Sequence, residues 1–493
     1  MKIGFDNDKY MHIQSERILE RIGQFGGKLY LELGGKLFDD FHASRVLPGF
    51  HPDSKIQMLM RMKDQEELIV VINSADIEKN KVRGDLGITY DADVLRLIDA
   101  FREIGMYVGS VVLTQYQDQS AAASFMERLT GLGIRVYRHY PIAGYPSDVD
   151  TVVSPEGYGR NEYIETTRPL VLVTAPGPGS GKMATCLSQL YHEHLRGVNA
   201  GYAKFETFPV WDLPISHPVN IAYEAATADL GDVNMIDPFH LDAYGKTAVN
   251  YNRDVEIFPV LKSLFEHIYG SSPYQSPTDM GVNMISQCIV DDEECRSASR
   301  REILRRLYAA KCSQRKGHSD GSDVTKIQLL MQKLQITDAE RPCIEAARKR
   351  AALTDAPALA VELPDGSVIT GKTSNLLGPS AALLLNALKA LSGIKKCTHL
   401  ISPTVIGPMQ QLKLQYLGNH NPRLHSDEVL VALSICAASD PQARAAMEAL
   451  PRLKGCEVHS TVILPQTDDN IFRRLELNLT CDSQYQTKKL YHK

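Results

Sequence analysis

The residues best arranged for chemistry lie at Ala175-Pro176-Gly177-Pro178-Gly179-Ser180-Gly181-Lys182, directly after the apolar run Leu170-Val171-Leu172-Val173-Thr174 and before a helix-like run from Met183 to Arg196. Strand, glycine-rich loop, lysine and helix is the order of a phosphate-binding loop. In that arrangement backbone N–H groups and a helix N-terminus hold the anion and lysine adds a point charge. Gly177, Gly179, Ser180, Gly181 and Lys182 are therefore the candidate anion-binding residues. The pattern departs from the usual one at both ends: Ala175 replaces the first glycine, and Met183 stands where a Ser or Thr would bind magnesium. Thr185 is two positions further on, about 200° around the helix from that site. ATP or another phosphorylated ligand fits the loop, but magnesium held in the usual way does not. No run of four apolar residues ending in Asp follows the loop, and Glu206 in Tyr202-Ala203-Lys204-Phe205-Glu206 is the nearest substitute.

A second glycine turn, Leu31-Glu32-Leu33-Gly34-Gly35-Lys36, ends the first apolar run. Parallel sheets bind ligands beyond the carboxyl ends of their strands, so Lys36, His42 and Arg45 are candidates to converge on the crevice of Lys182. Arg253 and Asp254 are either further ligand contacts or, the reading preferred, a loop-stabilising pair at a domain junction. Catalytic residues are not assigned.

The remaining reactive side chains have plainer readings. His192 and His194 project about 200° apart on one helix, so a single metal could not take both. Asp237, His240 and Asp242, like His420 and His425, are read as satisfied or surface groups, and Cys186 as a small core residue. Asp291 to Glu294 followed by Arg296, Arg300, Arg301, Arg305 and Arg306 reads as a solvated helix whose charges complement its dipole and one another. The nine cysteines include no CxxC pair, so no metal is expected. HExxH does not occur, and Gly317-His318-Ser319-Asp320-Gly321 matches GxSxG only as a string, in a polar loop between helix-like runs rather than on a strand-to-helix turn, which argues against hydrolase chemistry of those kinds.

These residues need elements to position them. A chain of 493 residues with 43% hydrophobic and 23% charged residues is ordinary globular material for several domains. A net charge of −5 gives no global field for nucleic acid. The polar start MKIGFDNDKY and the short apolar runs lead to the expectation of a cytoplasmic protein with no membrane partner. Between residues 15 and 225, strands predicted near 28–33, 68–72, 107–113, 135–140, 170–174 and 203–208 alternate with helices such as 15–24, 92–104, 120–132 and 181–196. The expected architecture is a multidomain α/β protein: a three-layer α/β domain over 1–254 carrying the glycine loop, a helical domain over 255–350, and a C-terminal α/β domain over 351–493. In the last, strands near 358–362 and 366–370 flank the turn Pro364-Asp365-Gly366, a helix covers 380–391, a strand covers 399–405, and an α/β stretch surrounds 458–464.

The opening GFDNDKY, the run LYLELGGKLFDDFHASRVLPGF, the loop VTAPGPGSGKMATCLSQLYHE, VNYNRDVEIFPVL and GKTSNLLGPSAALLLNALK together resemble the bacterial domain-of-unknown-function family numbered eighteen forty-six. The resemblance spans nearly the whole chain and implies the same three-part architecture. Some members carry a label of ATP-dependent peptidase. It brings no catalytic residue to any position. The functional expectation is an enzyme that binds a nucleotide or phosphorylated small molecule at Gly177–Lys182. The alternative is a non-catalytic scaffold or regulatory protein whose loop is only a turn. A homo-oligomer is expected on either reading.

Overall fold

A computed structural model describes residues 2–35, 37–38, 40–83 and 86–487. Lys36 of the expected crevice lies outside the described residues. The chain divides into two compact units, residues 2–224 with 232–296, and residues 225–231 with 297–493.

In the first unit the strands are β1 (Leu29–Leu33), β2 (Glu66–Asn73), β3 (Val108–Thr114), β4 (Arg135–Arg138), β5 (Leu170–Thr174), β6 (Gly201–Phe205), β7 (Asn234–Ile236), β8 (Val249–Tyr251) and β9 (Gly281–Val282). Seven of them form one parallel sheet in the order β4-β3-β2-β5-β1-β6-β9, and β7 pairs antiparallel with β8. β1, β3 and β5 are buried at every position, as expected of parallel strands covered on both faces. Leu31, Leu68 and Val70 face the helices Asn7–Gln24 and Tyr90–Glu103, whereas Tyr30, Val71 and Val173 face the helices Lys182–Leu195 and Asn252–Tyr269.

This order creates a crevice. The chain leaving β1 reaches β2 by passing β5 on one side, and the chain leaving β5 reaches β6 by passing β1 on the other. Connections from two adjacent strands thus diverge to opposite faces, the arrangement that opens a ligand-binding gap at their carboxyl ends.

The second unit carries β10 (Ala358–Glu362), β11 (Val368–Lys372), β12 (Glu457–Ser460) and β13 (Asn478–Cys481) in the order β11-β10-β12-β13. The hairpin predicted at Pro364-Asp365-Gly366 joins β10 to β11, with Gly366 at φ +81°. Leu359, Leu384, Val458 and Phe472 lie in its core. The strand predicted over 399–405 is not formed: the helix Pro403–Gln411 begins there instead. Ser402 accepts from the Thr404 N–H and Pro403 takes the first helical position, where a missing N–H costs nothing. Residues 255–350 are mainly helical as expected, with β9 the strand among them. The charge run lies on the helix Asp292–Arg315, where Arg296 pairs with Asp292 at 2.6 Å and Arg306 with the buried Glu302 at 2.8 Å.

Candidate functional site

β5 is too short and apolar to turn back by itself, and the three glycines after it make the turn. Gly179 and Gly181 adopt φ of +77° and +93°, where L-residues are disfavoured. Gly177 is needed for closeness, since a β-carbon there would lie 2.3 Å from Tyr90 Oη. The loop's carbonyls are tied back to the sheet. Thr114 Oγ1 at the end of β3 donates to Ser180 O at 2.7 Å, Asn73 Nδ2 at the end of β2 donates to Gly179 O at 3.4 Å, and Ser180 Oγ donates to Gly177 O at 2.8 Å. Across a trans peptide the following N–H points the opposite way, so fixing the carbonyls aims the N–H groups of Ser180 and Gly181 away from the strands. The helix Lys182–Leu195 starts at Gly181, which has no side chain to cap it. Among the described residues the N–H groups of Lys182, Met183 and Ala184 meet no acceptor, leaving the positive end of a 14-residue helix open. Ser180 Oγ is engaged within the loop, and Thr185 is fully buried.

Opposite the loop stands a charged cluster on the same sheet face. Glu32 of β1 and Lys204 of β6 are register partners, and period two puts Tyr202, Lys204 and Glu206 on one side. Lys182 Nζ is 4.0 Å from Glu32 Oε1, while Glu32 Oε2 accepts from Tyr202 Oη at 2.7 Å. Lys204 Nζ lies 2.8 Å from Glu206 and 2.7 Å from Asp254, the latter in the first turn of the helix Asn252–Tyr269. The side chains of Lys204 and Glu206, at the end of an inner strand, and of Asp254, on the helix beside it, keep 20, 16 and 21% of their surface accessible, so they line a recess. Burial raises Glu206 to about 7, with Lys204 opposing and Asp254 and Glu32 adding to the rise. Burial acts against the Lys204 ammonium, but Glu206 and Asp254 outweigh it and hold the charge firmly in place. Gly34 makes room for Glu206, because a β-carbon there would stand 3.0 Å from its Cγ.

Beside this recess are aromatic walls. Phe208 stacks on Tyr223 at 5.2 Å, and His42 meets both rings edge-on. His42 and Arg45 sit on the short helix Phe41–Val46 that follows β1. Arg253 and Asp254 do not pair with each other: Arg253 binds Asp232 at 2.7 Å, and Asp254 turns inward to Lys204. The remaining reactive groups have structural partners. His192 Nε2 is 2.9 Å from Asn161 O, Asp237 caps the helix Pro238–Tyr244, and His425 faces Asp468 at 3.4 Å. Cys186 is fully buried and its thiol is pushed well up by burial, then by Glu32, so it is a core residue. No group of three or more His, Cys, Asp or Glu among the described residues is arranged to hold a metal ion.

The model of "Domain of unknown function DUF1846, N-terminal" matches residues 3–335, and that of its C-terminal counterpart matches residues 339–491. The chain belongs to this family. A UPF0371 protein of Streptococcus thermophilus (strain ATCC BAA-491 / LMD-9) is 57% identical over 492 residues, covering 100% of both chains. Similar proteins of the same description occur in Streptococcus equi subsp. equi (strain 4047), 57% identical over 489 residues with 99% of each chain covered, and in Streptococcus pneumoniae (strain JJA), 56% identical over 492 residues with 100% of each covered. The DUF1846 N-terminal match contains the whole glycine loop and the Glu32–Lys204–Glu206–Asp254 cluster.

Glu32 and Lys204 were not anticipated from the sequence of this DUF1846 chain, and Glu206 only as a substitute for a missing carboxylate. The available signal was a lone charge in each of two buried strands, LYLEL and GYAKF. Such a charge near the carboxyl end of an inner parallel strand needs a partner or a ligand. No helix among the described residues is long and apolar enough to cross a membrane.

Proposed function

We propose that the protein binds a nucleotide or another phosphorylated small molecule in the crevice at the carboxyl ends of β1, β5 and β6, and acts on it as an enzyme. The observation that carries this is the uncapped helix N-terminus at Lys182–Ala184, set beside Lys182 at the point where the connections of β1 and β5 diverge. The phosphate takes the open N–H groups, and Lys182 leaves Glu32 to neutralise it. The rest of the ligand lies over Glu32, Lys204, Glu206 and Asp254, which accept from hydroxyl groups through the carboxylates and donate through the lysine. The aromatic wall of Phe208, Tyr223 and His42 gives a ring or carbon chain an apolar surface.

A thermal-shift screen of nucleotides, sugar phosphates and other phosphorylated metabolites, with and without magnesium, tests the reading. A ligand at 100 times its Kd adds about 2.7 kcal/mol of stability. That gain should vanish in Lys182→Ala. A library that shifts neither protein would return the loop to a structural turn and favour a scaffold role.

A further inference from the structure

We propose that Glu206 is the proton-carrying residue of this crevice: an anion seated on the Gly177–Lys182 loop binds together with one proton, which Glu206 takes from solvent, so that the ligand faces a carboxylic acid. The inference rests on the anion-loop reading and adds to it the protonation state of the group opposite.

Among the described residues, three carboxylates, Glu32, Glu206 and Asp254, share the crevice with two lysines. Lys182 stands 4.0 Å from Glu32, close enough to balance it and far enough to leave. Lys204 is already divided between Glu206 and Asp254 at 2.8 and 2.7 Å. An arriving anion recruits Lys182 and adds negative charge, so three carboxylates then depend on one firmly placed ammonium. Like charges in a poorly solvated space favour protonation of one member. Glu206 is the member nearest to that change, since burial already holds it at about 7 while Lys204 opposes.

The groups facing it are Lys204 from β6, Asp254 from the helix Asn252–Tyr269, Glu32 from β1, Tyr223 from the helix Pro218–Ala226 and Tyr251 from β8. His42 meets the Tyr223 ring edge-on at 5.4 Å. Both tyrosines are pushed up by burial, so they stay neutral in the range where Glu206 titrates. A protonated Glu206 can donate a hydrogen bond to a ligand oxygen or, in a reaction, a proton to a leaving oxygen.

Sulfate keeps its charge between pH 6 and 8 and is the probe of choice. Titration calorimetry of the full chain with sulfate, in two buffers of different ionisation enthalpy, reads affinity and proton uptake together. Wild type should bind about five- to tenfold more weakly at pH 8 than at pH 6, with net proton uptake near neutrality. Glu206→Gln should bind with no such pH dependence and no uptake. Binding by wild type that is independent of pH and takes up no proton overturns the proposal and leaves the anion loop standing. Uptake that persists in Glu206→Gln places the proton elsewhere, His42 being the next candidate, and also overturns it. Failure of wild type to bind sulfate at either pH overturns the anion loop and this inference with it. Should the variant not fold, infrared difference spectra of the wild type decide instead: a protonated-carboxyl C=O band that appears on adding sulfate near neutrality supports the proposal, and proton uptake without such a band overturns it.

Discussion

The two ends of the seven-stranded sheet are both rich in glycine and charge, and they differ in what their polar groups are left to do. At the amino end a cavity of about 500 Å³ is lined by Gly26, Lys28, Thr166, Arg168, Gly197 and Asn199. Its charges are engaged: Lys28 pairs with the buried Glu193, which also accepts from Tyr30 Oη at 2.7 Å. Glu67 accepts from Thr167 N, Thr167 Oγ1 and Arg168 N at 2.6, 3.0 and 3.1 Å. At the carboxyl end the loop carbonyls are bound while three N–H groups have no described acceptor, and Lys182 is held only at 4.0 Å. A site is marked by donor capacity left over after the fold has been satisfied, and neither glycine content nor cavity size reports that.

Glu193→Ala should be the most damaging change, leaving Lys28 without its buried partner at a cost of about 3–5 kcal/mol in chemical denaturation. Ligand affinity should stay unchanged once the variant is folded. If it drops with stability, the two ends are coupled and the contrast fails.

Glu66 at the start of β2 sharpens the contrast, because its carboxyl is fully buried and neither oxygen has a hydrogen-bond partner among the described residues. Burial raises it to about 8, with Arg168 opposing. Between its ordinary value and that folded value the native state holds a proton that the unfolded chain has lost. Stability therefore falls as pH rises from about 4.5 to about 8 and levels off above that. Glu66→Gln should remove this slope and be more stable than wild type at pH 8 by roughly 2–4 kcal/mol. Parallel melting curves of the two proteins from pH 5 to pH 9 would contradict it.

Lys182→Ala should leave the stability of the free protein within about 0.5 kcal/mol, since its ion pair is long, yet abolish the gain of about 2.7 kcal/mol from a phosphorylated ligand at 100 times Kd. Gly181→Ala should cost about 1–2 kcal/mol of stability, from forcing an L-residue to φ +93°. A β-carbon there also meets Thr114 Cγ2 at 3.0 Å, so the loop shifts and affinity falls more than stability does. An unaffected affinity would show that the aim of the N–H groups does not matter.

Much of the fold was legible because its signals are local. Four apolar residues and Thr174, followed by glycines and Lys182, specify strand, turn and helix within one short window, and the structure has all three. The strand predicted over 399–405 failed because the capping of Ser402 and Pro403 outweighed an apolar run too short to settle the matter. The candidate site was legible by half. Gly177 to Lys182 could be read, whereas Glu32 and Lys204 could not be joined, because their meeting depends on β1 lying beside β6.

The sequence by itself determined most of the strands and helices around the glycine loop, and that one of its turns would carry N–H groups beside a lysine. Those properties follow from periodicity and backbone freedom over a few residues. Only the tertiary structure decided that β5 inserts between β2 and β1, so that the connections of β1 and β5 diverge. It likewise decided that Glu32, Lys204, Glu206 and Asp254 share charge there. Strand order is settled by burial of whole faces across long stretches of chain, and no local pattern contains that information.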